Sequence, residues 1–335
     1  MHQRSAHVAK GSLALIVLSL IGTLLAAGLF GQTTLSPSEF VAGLLGTADT
    51  STNIIVQELR LPRIILGALC GATLGYAGAL LQGLLRNPLA DPGVVGVSAS
   101  ASLGAVVVIY LGAGAVGSFA VPLGAIAGAL AATAILLAVS LRDASVLTLI
   151  LTGVGISSLA AAGISLVMNF APHPMTLQEM ILWMMGSLEN RSYNDLLLAG
   201  PFIGFGLVLV MGAGQGLNAL SLGEDTARTL GVNLKSLRTR IVIGASLAVG
   251  ATVAVAGAIG FVGLVVPHLA RTLFGFEPKR ILLPSALLGA LTLTLADILT
   301  RLPVGYGQLR LGVVMGIIGA PVFLYIILKT RETMR

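Results

Sequence analysis

The fold turns on Ala248–Leu269, AVGATVAVAGAIGFVGLVVPHL, a stretch with no Asp, Glu, Lys or Arg and with glycines at 250, 257, 260 and 263. At about 1.5 Å per residue, a helix of this length would just cross a hydrocarbon core of roughly 30 Å. The stretch therefore reads either as part of one long span or as two spans joined by a tight glycine turn. The choice sets whether the chain crosses a membrane an odd or an even number of times, and so where its C-terminus lies.

Outward from that stretch, apolar runs recur from end to end. The 335 residues are 56% hydrophobic and 10% charged, with mean hydropathy +0.99, which leaves too little polar surface for packing in water. Taking Ala248–Leu269 as two spans, the runs predict ten transmembrane helices near residues 12–31, 62–84, 94–113, 119–140, 145–170, 195–214, 240–257, 260–275, 281–301 and 309–328. The whole chain, 1–335, reads as one all-α integral membrane domain. Basic residues precede Leu13–Phe30, but that run is too long for a signal-peptide core, so an uncleaved first helix is expected.

Lysine and arginine decide between odd and even, because cytoplasmic loops retain positive charge. With ten spans and the N-terminus inside, fourteen of the nineteen cations fall on the cytoplasmic side: Arg4, Lys10, Arg86, Arg142, Arg228, Lys235, Arg238, Arg240, Arg271, Lys279, Arg280, Lys329, Arg331 and Arg335. Arg60, Arg63, Arg191, Arg301 and Arg310 remain outside. This asymmetry supports the even count and places both termini in the cytoplasm. The net charge of +6 is thus a topology signal, scattered between apolar runs and forming no face for nucleic acid.

Catalytic chemistry finds no foothold. There is no GxxxxGK[ST] phosphate loop, so the chain cannot bind ATP in that manner by itself. His2, His7, His173 and His268 have no metal-ligand spacing, and the lone Cys70 in an apolar run reads as a small buried hydrophobe. An ion-coupled carrier would carry ionisable groups within its spans. Here the acids lie in loops or at span ends, Asp297 being the deepest. Energy is expected from a partner.

Two outer segments, 32–61 and 171–194, are long enough for short interfacial helices, the first with a capping sequence at Ser36-Pro37-Ser38-Glu39. Glycine pairs four apart, Gly71/Gly75, Gly124/Gly128 and Gly312/Gly316, predict close helix packing. The longest polar inner loop is Ser221–Arg240, SLGEDTARTLGVNLKSLRTR, read as two short helices broken at Gly231. Its apolar side, Ala227, Leu230, Val232 and Leu234, suits either a membrane surface or, preferably, a cytoplasmic partner.

At this segment the chain resembles the permeases of the type II ABC importers for iron-siderophore, haem and vitamin B12. The resemblance covers nearly the whole chain and rests on several motifs in the family's order. They are Leu59-Arg60-Leu61-Pro62-Arg63, Asn87-Pro88-Leu89-Ala90-Asp91-Pro92-Gly93, Trp183-Met184-Met185-Gly186-Ser187, Gly223 to Gly231, Gly257 to His268, and Gly319-Ala320-Pro321-Val322-Phe323. It implies a ten-helix permease that pairs with a second permease subunit, either another copy or a related chain. Two cytoplasmic ATP-binding subunits would use ATP and Mg, a periplasmic binding protein would deliver substrate, and this chain would bind no cofactor.

Carried over by position, Arg60, Arg63 and Arg301 would meet acidic residues of the binding protein. Glu224, Asp225, Ala227, Arg228, Leu230 and Gly231, within an inner segment taken as 216–240, would couple to the ATPase. Asn87, Leu89 and Val146 would sit at the cytoplasmic gate. The pathway would follow the fifth and tenth helices past Gly153, Ser157, Ala161 and Gly316. The expected cargo is an iron chelate, ferric siderophore ahead of haem, with cobalamin as the alternative. Met168, His173, Met175, Met180, Met184 and Met185 offer thioether and imidazole near the outer face, but methionine is also a common packing residue and Trp-Met-Met-Gly belongs to the family pattern.

Overall fold

The computed structural model describes residues 2–31, 33–112, 117, 119–142, 145–302 and 308–333. Of the predicted inner cations, Arg335 lies outside these residues, as do the side chains of Arg4, Lys10, Lys329 and Arg331. Every regular element among the described residues is helical. In order these are α1 (His2–Leu29), α2 (Pro37–Leu45), α3 (Thr50–Ile54), α4 (Leu61–Leu85), α5 (Val97–Tyr110), α6 (Ala120–Leu141), α7 (Val146–Asn169), α8 (Pro174–Met184), α9 (Tyr193–Leu209), α10 (Ala213–Ser221), α11 (Glu224–Thr229), α12 (Leu234–Ala256), α13 (Val262–Phe274), α14 (Pro278–Thr300) and α15 (Leu311–Thr333). A π-helical turn, Ile55–Arg60, links α3 to α4, and a 3-10 turn, Pro92–Val95, precedes α5.

A helix occupies each interval where a span was expected. Among the described residues, six helical stretches are long and apolar enough to cross a membrane on their own, and the pair α9 and α10, bent by 49°, adds a seventh if taken as one span. The apolar lengths Val97–Tyr110, Val262–Phe274 and Leu311–Ile326 are shorter. The fourteen residues of α5 rise only about 21 Å.

The Ala248–Leu269 stretch is broken in two. Helix α12 ends at Ala256, Gly257 takes φ 74° and Phe261 φ 68°, and α13 begins at Val262. Left-handed φ at Gly257 has no Cβ penalty and turns the chain sharply. A Cβ there would also meet the Gly186 Cα at 2.6 Å and the Trp183 carbonyl at 2.7 Å, so this position needs glycine on two counts. Pro267 inside α13 has no N–H and leaves the Gly263 carbonyl without its helical donor. The buried Gln82 supplies one from α4, its Nε2 lying 3.3 Å from that oxygen and 3.2 Å from the Leu264 carbonyl.

Helices α4 and α14 form the centre. They touch along glycine: a Cβ on Gly71 would fall 2.3 Å from the Gly289 carbonyl oxygen, and one on Gly75 2.2 Å from that of Ser285. Where lipid supplies no hydrophobic drive between helices, such close backbone packing is one of the forces that hold them together. Gly124 and Gly128 bring α6 equally close to α5, and Gly312 meets the Met185 carbonyl, but Gly316 looks onto open space.

Two boundaries differ from expectation. The outer segment 32–61 holds α2, with the Ser36/Glu39 capping box formed as its sequence requires, but residues 50–60 are helical and run without interruption into α4. The π turn, one residue wider than an α turn, lets Arg60 enter the helix that the sequence reading began only after it. In the inner segment the break at Gly231 is present at φ 82°, yet the residues beyond Asn233 form no second short helix. They are the first turns of α12, drawn into the protein by the buried Leu234 and Leu237.

Candidate functional site

At the end of the bundle where α1 stops and α4 begins, sequence-distant arginines converge on the C-terminus of α1. A helix end leaves carbonyls without donors, and cations near it also favour the helix dipole. Arg60 Nη1 donates to the Gly28 and Leu29 carbonyls and Nη2 to that of Thr33. Arg301 Nη1 donates to the Ala27 and Phe30 carbonyls at 2.6 and 2.9 Å. Asp297, one turn before Arg301 on α14, holds the cluster together. Its carboxylate accepts from Arg63 Nε and Nη2 at 2.8–3.0 Å and from Arg301 Nε and Nη2 at 2.7–3.2 Å. Arg63 Nη2 also reaches the Thr300 hydroxyl at 3.1 Å.

The three expected docking arginines are thus brought together, but turned into their own chain. Arg60 is 6% exposed, and the side chains of Arg63 and Arg301 are 18% and 6% exposed. What they present outward is chiefly the field of three cations against one carboxylate.

At the opposite end, where α4 stops, the short α11 is tied down through its first residue. The Glu224 carboxylate lies 2.5 Å from Arg238 on α12, 3.8 Å from Arg86 at the end of α4 and 4.0 Å from Arg228 on α11 itself. Arg86 sits at φ 49°, a left-handed C-cap of α4 that aims its side chain across the loop. Ala227 is fully buried, anchoring α11 against its neighbours. Arg228 and Leu230 are left 64% (side chain) and 61% exposed on the free side. Gly231 ends the helix.

Between the two ends, α7, like α1, is lightly embedded, with 17% of its apolar window buried. Ala161 is on its exposed face and Ser157 is half-buried. Gly153 is buried instead, its carbonyl against Gly96, so it packs α7 onto the 3-10 turn and does not face outward. Exposed hydroxyls dot the free face: Ser158 and Ser165 bond back to the Val154 and Ala161 carbonyls at 2.9 and 3.0 Å. Asn87 and Leu89 are exposed in the loop after α4, where Asn87 Oδ1 accepts from the Leu89 N–H at 2.9 Å, and Val146 opens α7 half-buried. Asp91, next in that loop, is held above the usual carboxylate range by burial, against which the Gly93 N–H acts.

A cavity of about 580 Å³ lies beside α8, lined among others by Glu179, Trp183, Glu189, Arg191 and Arg310. Glu189 and Arg310 pair across it at 3.7 Å. Three methionines of this region meet in an apolar cluster, where Met168 and Met184 pack against Met180 and its neighbours. Met180 is fully buried beside Val106 and Ile109, while Met175 is 74% exposed.

The profile of the FecCD transport family matches residues 15–329, almost the entire chain. The chain belongs to the FecCD transport family. Among FecCD relatives, it is 42% identical over 295 residues to the uncharacterized ABC transporter permease protein YvrB of Bacillus subtilis, covering 87% of this chain and 83% of that one. It is 38% identical over 321 residues to the vitamin B12 import system permease protein BtuC of Salmonella paratyphi A, covering 96% and 95%. Its backbone matches a solved structure described as an inward-facing conformation of a metal-chelate type ABC transporter, with TM-score 0.85, 28% identity, and coverage of 96% and 99%.

Within this FecCD member, sequence reasoning missed the residues that hold the functional segments in place. Asp297 was recognised as the deepest acid, and its i,i+4 spacing to Arg301 was a usable signal. Its pairing with Arg63, 234 positions away, had none. Glu224 was found as part of a motif, but Arg86 and Arg238 as its partners were not.

Proposed function

We propose that this chain is the translocating subunit of an ATP-driven importer in the inner membrane. It crosses ten times with both termini in the cytoplasm, and a second permease subunit, another copy or a related chain, completes the pathway. Two cytoplasmic ATP-binding subunits supply the energy, and a periplasmic binding protein delivers the cargo.

The observation that carries this reading is the way α11 is mounted. One face is fastened by Glu224 and the buried Ala227 to the ends of α4 and α12, while Arg228 and Leu230 face away. A short helix so fixed transmits displacement: a partner that moves α11 moves two central helices with it. Asp225 and Gly231 complete the coupling surface.

The outer cluster fits docking through its surplus charge, with Arg63 as the more accessible contact, because steering by a positive patch needs no free guanidinium. The uncovered face of α7, with Ser157 and Ala161 and with hydroxyls satisfied by their own helix, suits a pathway past which a bulky solute slides without a tight site. Gly316 on α15 has the open space such a surface needs. Asn87, Leu89 and Val146 lie toward the opposite, cytoplasmic end and fit a gate.

The cargo is a metal chelate, read as an iron chelate, ferric siderophore or haem. Cobalamin is the second reading, favoured by 38% identity to the vitamin B12 permease over nearly the full length of both chains. Purifying the cognate binding protein and identifying what it retains tests this. An iron chelate or a corrinoid is expected, and retention of a sugar or amino acid would overturn the assignment.

A further inference from the structure

We propose that Asn218 is the positioning residue that carries displacement of α11 into α14, and so links the ATP-binding partner to the arginine cluster at the far end of α14. The proposal rests on the reading of α11 given under Proposed function.

Helix α10 leads through Leu222 and Gly223 into α11 and is set between two left-handed glycines, Gly212 at φ 78° and Gly223 at φ 114°. A Cβ on Gly212 would meet nothing within 4 Å, and one on Gly223 only the Thr226 hydroxyl at 3.9 Å. Such joints turn with little steric resistance. A push on α11 therefore travels beyond α10 only where α10 is fastened to something else.

Asn218 is that fastening. Helix α14 begins after Glu277, whose side chain makes no cap of its own, and opens on Pro278, which has no N–H. The N–H of Lys279 is one of the orphan donors of a helix start. It donates to Asn218 Oδ1 on α10 at 2.9 Å. Asn218 Nδ2 in turn donates to the Glu277 carboxylate at 2.6 Å, and that carboxylate also pairs with Arg280. One amide thus grips the first turn of α14 with both its donor and its acceptor, a reciprocal cap supplied by another helix. One turn earlier on α10, Gly214 lets the two elements close, since a Cβ there would lie 3.2 Å from the Lys279 Cα and 3.2 Å from a Leu282 methyl.

The ties through Glu224 join α11 to α4 and α12, and Asn218 adds α14. The 23 residues of α14 rise about 35 Å and carry Asp297 in their last turn, with Arg301 as the C-cap. Those two residues belong to the arginine cluster, where Arg301 holds the carbonyls that end α1. A helix fastened at both ends makes the state of one end felt at the other, and such coupling acts in both directions.

The test uses the complete complex in lipid nanodiscs and measures the Kd of the labelled binding protein, without added cargo, in the presence and absence of Mg and a non-hydrolysable ATP analogue. In the wild type the two values should differ by about fivefold or more, the low end of ordinary coupling. Asn218→Leu should bring their ratio toward one while the ATP-binding subunits stay bound. Asn218→Asp, which sets two carboxylates together, should do the same, and adding Glu277→Gln should restore the ratio by exchanging donor and acceptor across the pair. If Asn218→Leu fails to fold, the last two variants carry the test. A wild-type ratio of one, a ratio unchanged by the single variants, or no restoration in the double variant would overturn the role of Asn218. Loss of the ATP-binding subunits from Asn218→Leu would overturn it too, because the residue would then only shape their seat. These outcomes leave the reading of α11 standing; ATP-binding subunits that fail to bind the wild type would overturn that reading, and the proposal with it.

Discussion

Replacing Asp297 with Asn removes the only carboxylate described in the outer arginine cluster while nearly preserving shape. The carboxylate is 3% exposed and accepts from both Arg63 and Arg301. In the variant one oxygen becomes an NH₂ that faces guanidinium donors. Removing one partner of a buried ion pair costs about 3–5 kcal/mol. Arg301 keeps the Ala27 and Phe30 carbonyls, and Arg63 keeps Thr300 and some solvent, which places the loss near the low end, about 3 kcal/mol. With an unfolding entropy of roughly 2.1 cal/mol/K per residue, or about 0.7 kcal/mol/K for the chain, Tm should fall by about 4 °C. Thermal unfolding of the purified chain measures this, and an unchanged Tm would refute the network. A second readout separates anchoring from docking. The variant raises the cluster from three cations against one acid to three against none, so the binding protein should associate faster at low salt, with the gain lost as salt rises. Slower association would show that Asp297 itself makes the contact.

Further outcomes follow from individual residues. Glu224→Gln should leave the ATPase subunits bound but lower transport per ATP hydrolysed, because α11 loses its ties to Arg86 and Arg238. Equal coupling ratios in proteoliposomes would count against the latch. Gln82→Leu orphans the Gly263 carbonyl above Pro267 and should cost about 1–3 kcal/mol, measurable as a drop in denaturation midpoint. Gly75→Ala forces α4 off α14, since its Cβ would lie 2.2 Å from a carbonyl oxygen, and should cost about 1–3 kcal/mol or more; wild-type stability would mean the two helices are not in backbone contact. Asp49 caps α3, and hydrogen bonds from Ser51 and Thr52 lower its carboxyl from 3.8 to about 2. The cap's contribution is therefore full above pH 3.8 and is lost as pH falls through about 2. A carboxyl resonance titrating near the usual Asp value would contradict the cap.

What the sequence disclosed depended on how local each interaction is. The Ser36/Glu39 cap spans three residues and was legible. So was the break in Ala248–Leu269, as an ambiguity, because glycines mark where a backbone can turn without showing that it does. Gly153 packs on Gly96 and not along the open side of α7, and a glycine carries no side chain by which sequence could tell a packed face from an open one. Arg60 was read as a loop residue because a π turn leaves no pattern in composition. The Arg63–Asp297 and Arg238–Glu224 pairs join segments that only the folded chain brings together.

The most direct measurement is uptake by liposomes holding this chain, its ATP-binding subunits and its binding protein, with a labelled metal chelate outside and MgATP within. Uptake should require ATP, the binding protein and an intact α11, and should persist when ion gradients are collapsed. Uptake by the chain alone under an ion gradient, with no ATPase present, would contradict the account.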